Sequence, residues 1–275
     1  MVVVLILAAA VTLIFMPLMK QMLETSGAVR ENFLGEAVPT GLGVGFLPGV
    51  LFGSFLLVLM ENTDIRLVLI NALGFVVMSL AGIVDDILGN NNVKGIRKHL
   101  KSLLDLRLTT GGLKAAFGGL IAALISTVVS ESLIEGIVNC LLVMLFTNLV
   151  NLLDLRPGRA VKSFFLLWWC SLFFMPVRAH AYILYPLAGC LVAYLPYDAN
   201  RIGMMGDAGS NAIGLSLGLY YCVGAAMNHK VAALMLLILL HIAAEKYSFT
   251  GFIARNRMLR LIDELGNKRS VRHDD

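Results

Sequence analysis

Four aspartates stand at the ends of long apolar runs: Asp85 and Asp86 in Ala81-Gly82-Ile83-Val84-Asp85-Asp86, Asp154 in Asn151-Leu152-Leu153-Asp154, and Asp207 in Met205-Gly206-Asp207-Ala208-Gly209-Ser210. A charge in hydrocarbon costs about 3 kcal/mol or more, so ionisable groups there tend to be kept for use. Adjacent carboxylates repel, and the Asp85-Asp86 pair invites either a retained proton or a cation between the two groups. Mg²⁺ suits such a place because it takes a few carboxylate oxygens and completes its shell with phosphate and water. An ion held by Asp207 or by the Asp85 pair could then clamp a diphosphate. The glycines around Asp207, Gly206 among them, allow close backbone approach, and the start of the following helix favours anions. Each aspartate alone could simply cap a helix; four on one face argue for a site. The loop Lys94-Gly95-Ile96-Arg97-Lys98-His99 sets positive charge beside the Asp pair. Phosphate reconciles the two signs, with Lys94 and Arg97 the residues expected to meet it. A basic loop that only sets topology is the plainer reading of the same charges.

The elements that must position these groups are membrane helices. Of 275 residues, 58% are hydrophobic and 15% charged. With a mean hydropathy of +0.82, the chain is too apolar for a soluble domain burying one core. Its 22 Lys and Arg against 18 Asp and Glu give a net charge of +4, gathered in short clusters between apolar runs. Nucleic-acid binding is excluded, since it needs basic residues on one solvated face. Cys140, Cys170, Cys190 and Cys222 lie inside apolar runs with neither disulfide-framework nor zinc spacing, and are expected to pack. The opening Met1-Val2-Val3-Val4-Leu5 lacks a basic residue and a clear cleavage site, and is expected to form a retained first helix.

Apolar runs of about 20 residues can cross a bilayer. They predict an all-α polytopic bundle of about nine spans, near 1–19, 41–60, 65–84, 111–130, 132–150, 163–177, 179–196, 210–227 and 230–248. The bias of Lys and Arg toward cytoplasmic loops puts the N-terminus outside and the C-terminus in the cytoplasm; of the 22, only Arg66, Arg178 and Lys230 then fall outside. All four aspartates sit at the cytoplasmic interface on this reading. Residues 1–248 form the transmembrane catalytic unit, and 249–275 a cytoplasmic tail. There Phe252, Ile253, Met258, Leu259, Leu261, Ile262 and Leu265 recur at helical spacing among Arg255, Arg257 and Arg260. Such a tail either lies on the membrane surface or remains a solvated extension.

Taken in order, the motifs resemble the polyprenyl-phosphate N-acetylhexosamine 1-phosphate transferases of glycosyltransferase family 4, which include the phospho-N-acetylmuramoyl-pentapeptide translocase. Val38-Pro39-Thr40-Gly41-Leu42-Gly43 is similar to the family's early Pro-Thr and glycine segment, and Gly82-Ile83-Val84-Asp85-Asp86 to its Asp-Asp signature. Asn148-Leu149-Val150-Asn151-Leu152-Leu153-Asp154 resembles its Asn and Asp motif, and Met205-Gly206-Asp207-Ala208-Gly209-Ser210 its Met-Gly-Asp-x-Gly-Ser motif. The resemblance covers about residues 35–225.

It implies Mg²⁺-dependent transfer of a sugar 1-phosphate from a UDP-sugar to polyprenyl (undecaprenyl) phosphate at the cytoplasmic face, releasing UMP, in cell-envelope polymer synthesis. It further implies a bacterial-type plasma membrane and is compatible with a homodimer. Asp207 matches the metal ligand, Asp85 and Asp86 the catalytic or metal-proximal pair, and Asp154 and Asn151 the remaining polar contacts. Two departures stand out. Where the family continues Asp-Gly-x-Asp-Gly, this chain reads Asp154-Leu155-Arg156-Pro157-Gly158, with Pro157 in place of a carboxylate. Where the family has a His-rich loop, there is only His241, expected to pack against its i+4 neighbour Glu245. Arg156 and Arg159 add positive charge that could hold phosphate. The alternative is a non-catalytic relative that binds polyprenyl phosphate or nucleotide-sugar as a regulator or scaffold. A secondary transporter would carry deeper carboxylates and repeated halves, and neither is evident.

Overall fold

Nearly every apolar segment becomes a helix, and glycine and proline set where the helices break. In the computed structural model, which describes residues 1–89, 109–175 and 179–265, α1 spans Val2–Thr25. An antiparallel hairpin follows, β1 (Val29–Glu31) paired with β2 (Ala37–Pro39). A 3₁₀ turn over Leu42–Phe46 leads into α2 (Leu47–Val58). Then come α3 (Ile65–Leu88), α4 (Thr110–Val129), α5 (Leu133–Leu153) and α6 (Arg159–Phe174). A second 3₁₀ turn, Ala179–Leu184, precedes α7 (Tyr185–Ala199), α8 (Gly206–Gly224) and α9 (Met227–Lys246). Two short helices close the described chain, α10 (Phe249–Arg255) and α11 (Arg257–Glu264). Polar residues begin α3, α4 and α5 by accepting N–H groups that lack helical partners: Asp64 from Arg66, Thr109 from Gly112, Ser132 from Glu135.

Among the described residues, five helices are long and apolar enough to cross a bilayer: α1, α3, α4, α5 and α9. The expected all-helical membrane bundle is present, with one small hairpin added. Helix boundaries depart from the sequence reading, and three of the departures bear on the site. The segment 41–60 is not one helix, because Gly41 has φ +78° and Pro48 sits in the first turn of α2. Helix α6 starts at Arg159, not 163, which puts Arg159 and Lys162 in its first turn. Helix α8 starts at Gly206, not 210, so Asp207 belongs to its first turn and does not precede it.

Helix α8 is the axis of the bundle, buried at every residue from Ala208 to Tyr220 and packed between α3 and α5. Small residues make this possible. Gly214 and Gly218, four apart, lie against the backbone of α5; a Cβ on Gly218 would come within 2.8 Å of Val143 Cα. This spacing lets helix backbones meet in a membrane, where lipid offers no hydrophobic drive to association. On the other side Gly82 of α3 lies directly against the Asp207 backbone. A second layer of α1, α2 and α7 packs together, α1 contributing the stripe Val4, Ala8, Thr12 and Met16 at intervals of four.

Candidate functional site

The close contact of α3 with the start of α8 places two aspartates of one helix on two different partners. Asp86 accepts N–H bonds from Asp207 (2.9 Å) and Ala208 (3.0 Å), one on each carboxylate oxygen. It caps α8 from a neighbouring helix, where orphan amides and the positive end of the dipole favour a negative charge. The group that meets the α8 N-terminus is therefore a carboxyl of the protein itself. Gly206 has φ +70°, and a Cβ there would stand 2.5–2.9 Å from the Asp86 carboxyl group. Only glycine fits both conditions.

Asp85 points instead to α4. Its Oδ2 lies 3.0 Å from Lys114 Nζ, and the same ammonium bonds Asp207 Oδ2. Three helices thus meet at one cation shared by two carboxylates. The two carboxyl groups of the Asp85-Asp86 pair thus take different partners, and the carboxylates that converge are Asp85 and Asp207. Lys114 was missed as a site residue because it reads as one of many topology-setting cations. Its position, just inside the apolar run 111–130, is nonetheless the signal that singled out the aspartates.

Asn151, in the last turn of α5, accepts a bond from Ser210 Oγ at 3.0 Å, and Ser210 Oγ also reaches the Gly206 carbonyl at 3.0 Å. Asp154 follows as the C-cap residue of α5. Burial, and then the negative charges of Asp198, Asp207 and Asp86, hold its carboxyl well above the ordinary carboxylate range, against the pull of Arg159. Beside these groups opens a cavity of about 380 Å³, walled by Asn151, Asp154, Asp198, Gly206 and Asp207 with Arg156, Pro157, Arg201 and Phe33. The guanidinium of Arg156 stacks over the Phe33 ring at 4.2 Å and that of Arg201 at 5.7 Å. Phe33 belongs to the β1–β2 turn, whose role no sequence pattern announced. Its strands continue into Pro39-Thr40-Gly41, and Met204 N–H donates to the Pro39 carbonyl at 2.8 Å.

The remaining expectations divide. Lys94 and Arg97 lie outside the described residues. Pro157 lines the cavity where a second carboxylate was expected. Arg159 does not line it: its side chain is buried in an ion pair with Asp263 of the tail, 2.8 Å away. His241 directs Nδ1 back to the Leu237 carbonyl at 2.7 Å, away from Glu245, which lies a turn further on. The four cysteines are free.

Among the described residues no three His, Cys, Asp or Glu side chains gather as a metal-binding group. Mg²⁺ does not require three, because it is commonly held by one or two carboxylates with substrate phosphates and waters. Asp85 and Asp207, already sharing one cation, fit that donor set.

The sequence of residues 68–225, more than half of the chain, matches the family model of glycosyl transferase family 4. A search of curated proteins finds no match. The matched stretch contains Asp85, Asp86, Lys114, Asn151, Asp154 and Asp207, and the chain belongs to glycosyl transferase family 4, the polyprenyl-phosphate hexosamine-1-phosphate transferases.

Proposed function

We propose that the protein transfers a sugar 1-phosphate from a UDP-sugar to polyprenyl phosphate at the cytoplasmic membrane face, with Mg²⁺, and releases UMP. The observation that carries this reading is the convergence of Asp85 and Asp207 on Lys114 beside the cavity of Asn151, Asp154 and Asp198. In the reaction an oxygen of the lipid phosphate bonds to the sugar-bearing phosphorus of the donor as that atom's bond to the bridging oxygen breaks, and UMP leaves. A phosphate monoester has a second pKa of about 6, so the acceptor is largely ionised at neutral pH and needs little help from a base. The difficulty is bringing two anions together and stabilising the charge on the diphosphate. Asp207 and Asp85 would hold Mg²⁺, which when bound neutralises diphosphate charge and orients the phosphates.

The chain's own groups supply the rest. Lys114 offers its ammonium to phosphate from the same point. Arg156 and Arg201, which line the cavity, offer guanidinium groups suited to paired phosphate oxygens. Asp86 keeps the first turn of α8 in place, so its part is positional. Asp154 and Asn151 contact the polar portion of the donor, and Lys94 and Arg97 meet its phosphates. A nine-span topology with the C-terminus in the cytoplasm is supported by the distribution of Lys and Arg.

The test is UMP release by detergent-purified protein with Mg²⁺, undecaprenyl phosphate and a panel of UDP-sugars, beside Asp207→Asn. Release with one donor, lost in the variant, supports the transferase and identifies its sugar. Pro157, standing in the cavity where the family has a carboxylate, favours a second reading, a non-catalytic binder. No release from folded, lipid-binding protein selects it.

A further inference from the structure

The loop between α5 and α6 forms one wall of the cavity through Leu155, Arg156 and Pro157, and it is held at two points, one in the cavity wall and one outside it. Asp198 of α7 accepts the Gly158 N–H at 2.7 Å. Next to it Arg159, 4% exposed, donates from Nε and Nη2 to the two oxygens of Asp263, both at 2.8 Å, and from Nη1 to the Thr250 hydroxyl at 3.1 Å. Lys162 Nζ reaches the Asp263 carbonyl at 2.6 Å. A bidentate guanidinium–carboxylate pair fixes orientation as well as distance. Here it joins residues 104 apart in sequence, and neither α10 nor α11 has a buried residue that would hold the tail by packing alone.

The remainder of α11 is divided by face. At about 100° per residue, Leu259 and Asp263 turn toward the bundle and are half-buried. Met258, Leu261, Ile262 and Leu265 form a second stripe, 73, 56, 41 and 66% exposed. Arg257 and Arg260 form a third, with Arg255 just before them. The tail follows α9, a helix able to span the membrane, so it is tethered where that helix meets the bilayer surface. An apolar stripe flanked by arginines at such a place matches the headgroup layer of an anionic membrane.

We infer that the C-terminal helix is a membrane-seated strap: an anionic bilayer surface takes the Met258–Leu265 stripe and the arginines beside it, and Asp263, as a positioning residue, transmits that seating through Arg159 to the cavity wall. The predicted effect on turnover rests on the transferase reading; the tie and the seating do not.

The test uses the full chain in nanodiscs of phosphatidylcholine, alone or mixed with phosphatidylglycerol, followed by amide hydrogen exchange and by UMP release. Residues 249–265 exchange more slowly in the phosphatidylglycerol discs, and Leu261→Ser with Ile262→Ser removes that protection. Asp263→Asn speeds exchange across 155–162 by about tenfold while α5 and α8 keep their rates. The charge swap Arg159→Asp with Asp263→Arg restores slow exchange. Asp263→Asn also raises KM for the donor by about tenfold with a smaller change in kcat, and the swap recovers it. Unchanged exchange at 155–162 in Asp263→Asn overturns the tie, and tail exchange indifferent to the lipid overturns the seating. If exchange responds as described in protein that releases no UMP with any donor, this inference stands and the transferase reading falls.

Discussion

Two lysines are held between helices at opposite ends of the bundle, and their surroundings differ in one respect. Lys230, at the start of α9, is buried and meets a single carboxylate, Glu135, at 2.6 Å. Charge there is matched one to one. Lys114, at the start of α4, meets two carboxylates, one more than its charge matches, and at the same end Asp86 and Asp198 help oppose the ionisation of Asp154. A matched pair ties helices together and asks for nothing more. Surplus negative charge within a bundle persists where another cation is to join it. The first arrangement is a tie, and the second is the ground for placing Mg²⁺ and phosphate at the Asp85–Asp207 end.

The most severe way to break this comparison is Asp207→Asn, which removes charge without changing shape. Mg²⁺-dependent UMP release falls by about 10³-fold, while the melting temperature in detergent stays within a few degrees of the parent. Equal loss of folding and turnover would make Asp207 a tie like Glu135. Lys114→Met sharpens the contrast from the cation's side. With the competing ammonium gone, Mg²⁺ binds the substrate-free protein more tightly by calorimetry, yet turnover falls by about 100-fold because a phosphate-facing charge is lost. Weaker Mg²⁺ binding in that variant would mean that Lys114 supports the site only by packing.

The four aspartates and Asn151 were legible in the sequence because a polar group in an apolar run is conspicuous, and Gly206 because a glycine beside Asp207 allows close backbone approach. So were the helical bundle and the approximate helix ends, since a span has a length and a hydropathy. The pairing of charges was not legible. Asp85 and Asp86 are adjacent in sequence, but successive residues on a helix face about 100° apart, so neighbours in the chain serve different partners. Which of them faces Lys114 depends on the rotation of α3, set by Gly82 against Asp207. Arg159 illustrates the same limit: its neighbour Arg156 lines the cavity, while Arg159 itself pairs with a residue in the tail. Phe33 and Arg201 were invisible for want of any apolar run to stand out from.

Asp154 tests the idea of surplus charge through pH. Its folded-state carboxyl titrates above the ordinary range because burial and neighbouring carboxylates oppose ionisation. In the unfolded chain it ionises at the ordinary value, so stability is lost as pH climbs from that value through the raised one. Asp154→Asn removes the penalty. The variant melts about 2–4 °C higher than the parent at neutral pH, the gap closing as pH drops toward 4. Turnover falls by about tenfold, as expected where stability has been surrendered for a site. Scanning calorimetry across pH checks the sign, and a gap that widens on acidification would reverse it.

Lys230→Met gives the smallest effect on catalysis and completes the comparison from the other end. The substitution keeps the apolar stem and removes the ammonium that holds Glu135. Glu135, its side chain 22% exposed, turns to water, so the loss is confined to the hydrogen-bonded charge pair, about 1–2 kcal/mol. UMP release per folded molecule stays within about twofold of the parent, because a helix length separates this pair from the Asp85–Asp207 end and well-separated sites act independently. A drop in turnover comparable to that of Lys114→Met, in protein still folded at the assay temperature, would show that the two ends communicate through α8, and charge surplus would no longer distinguish a site from a tie.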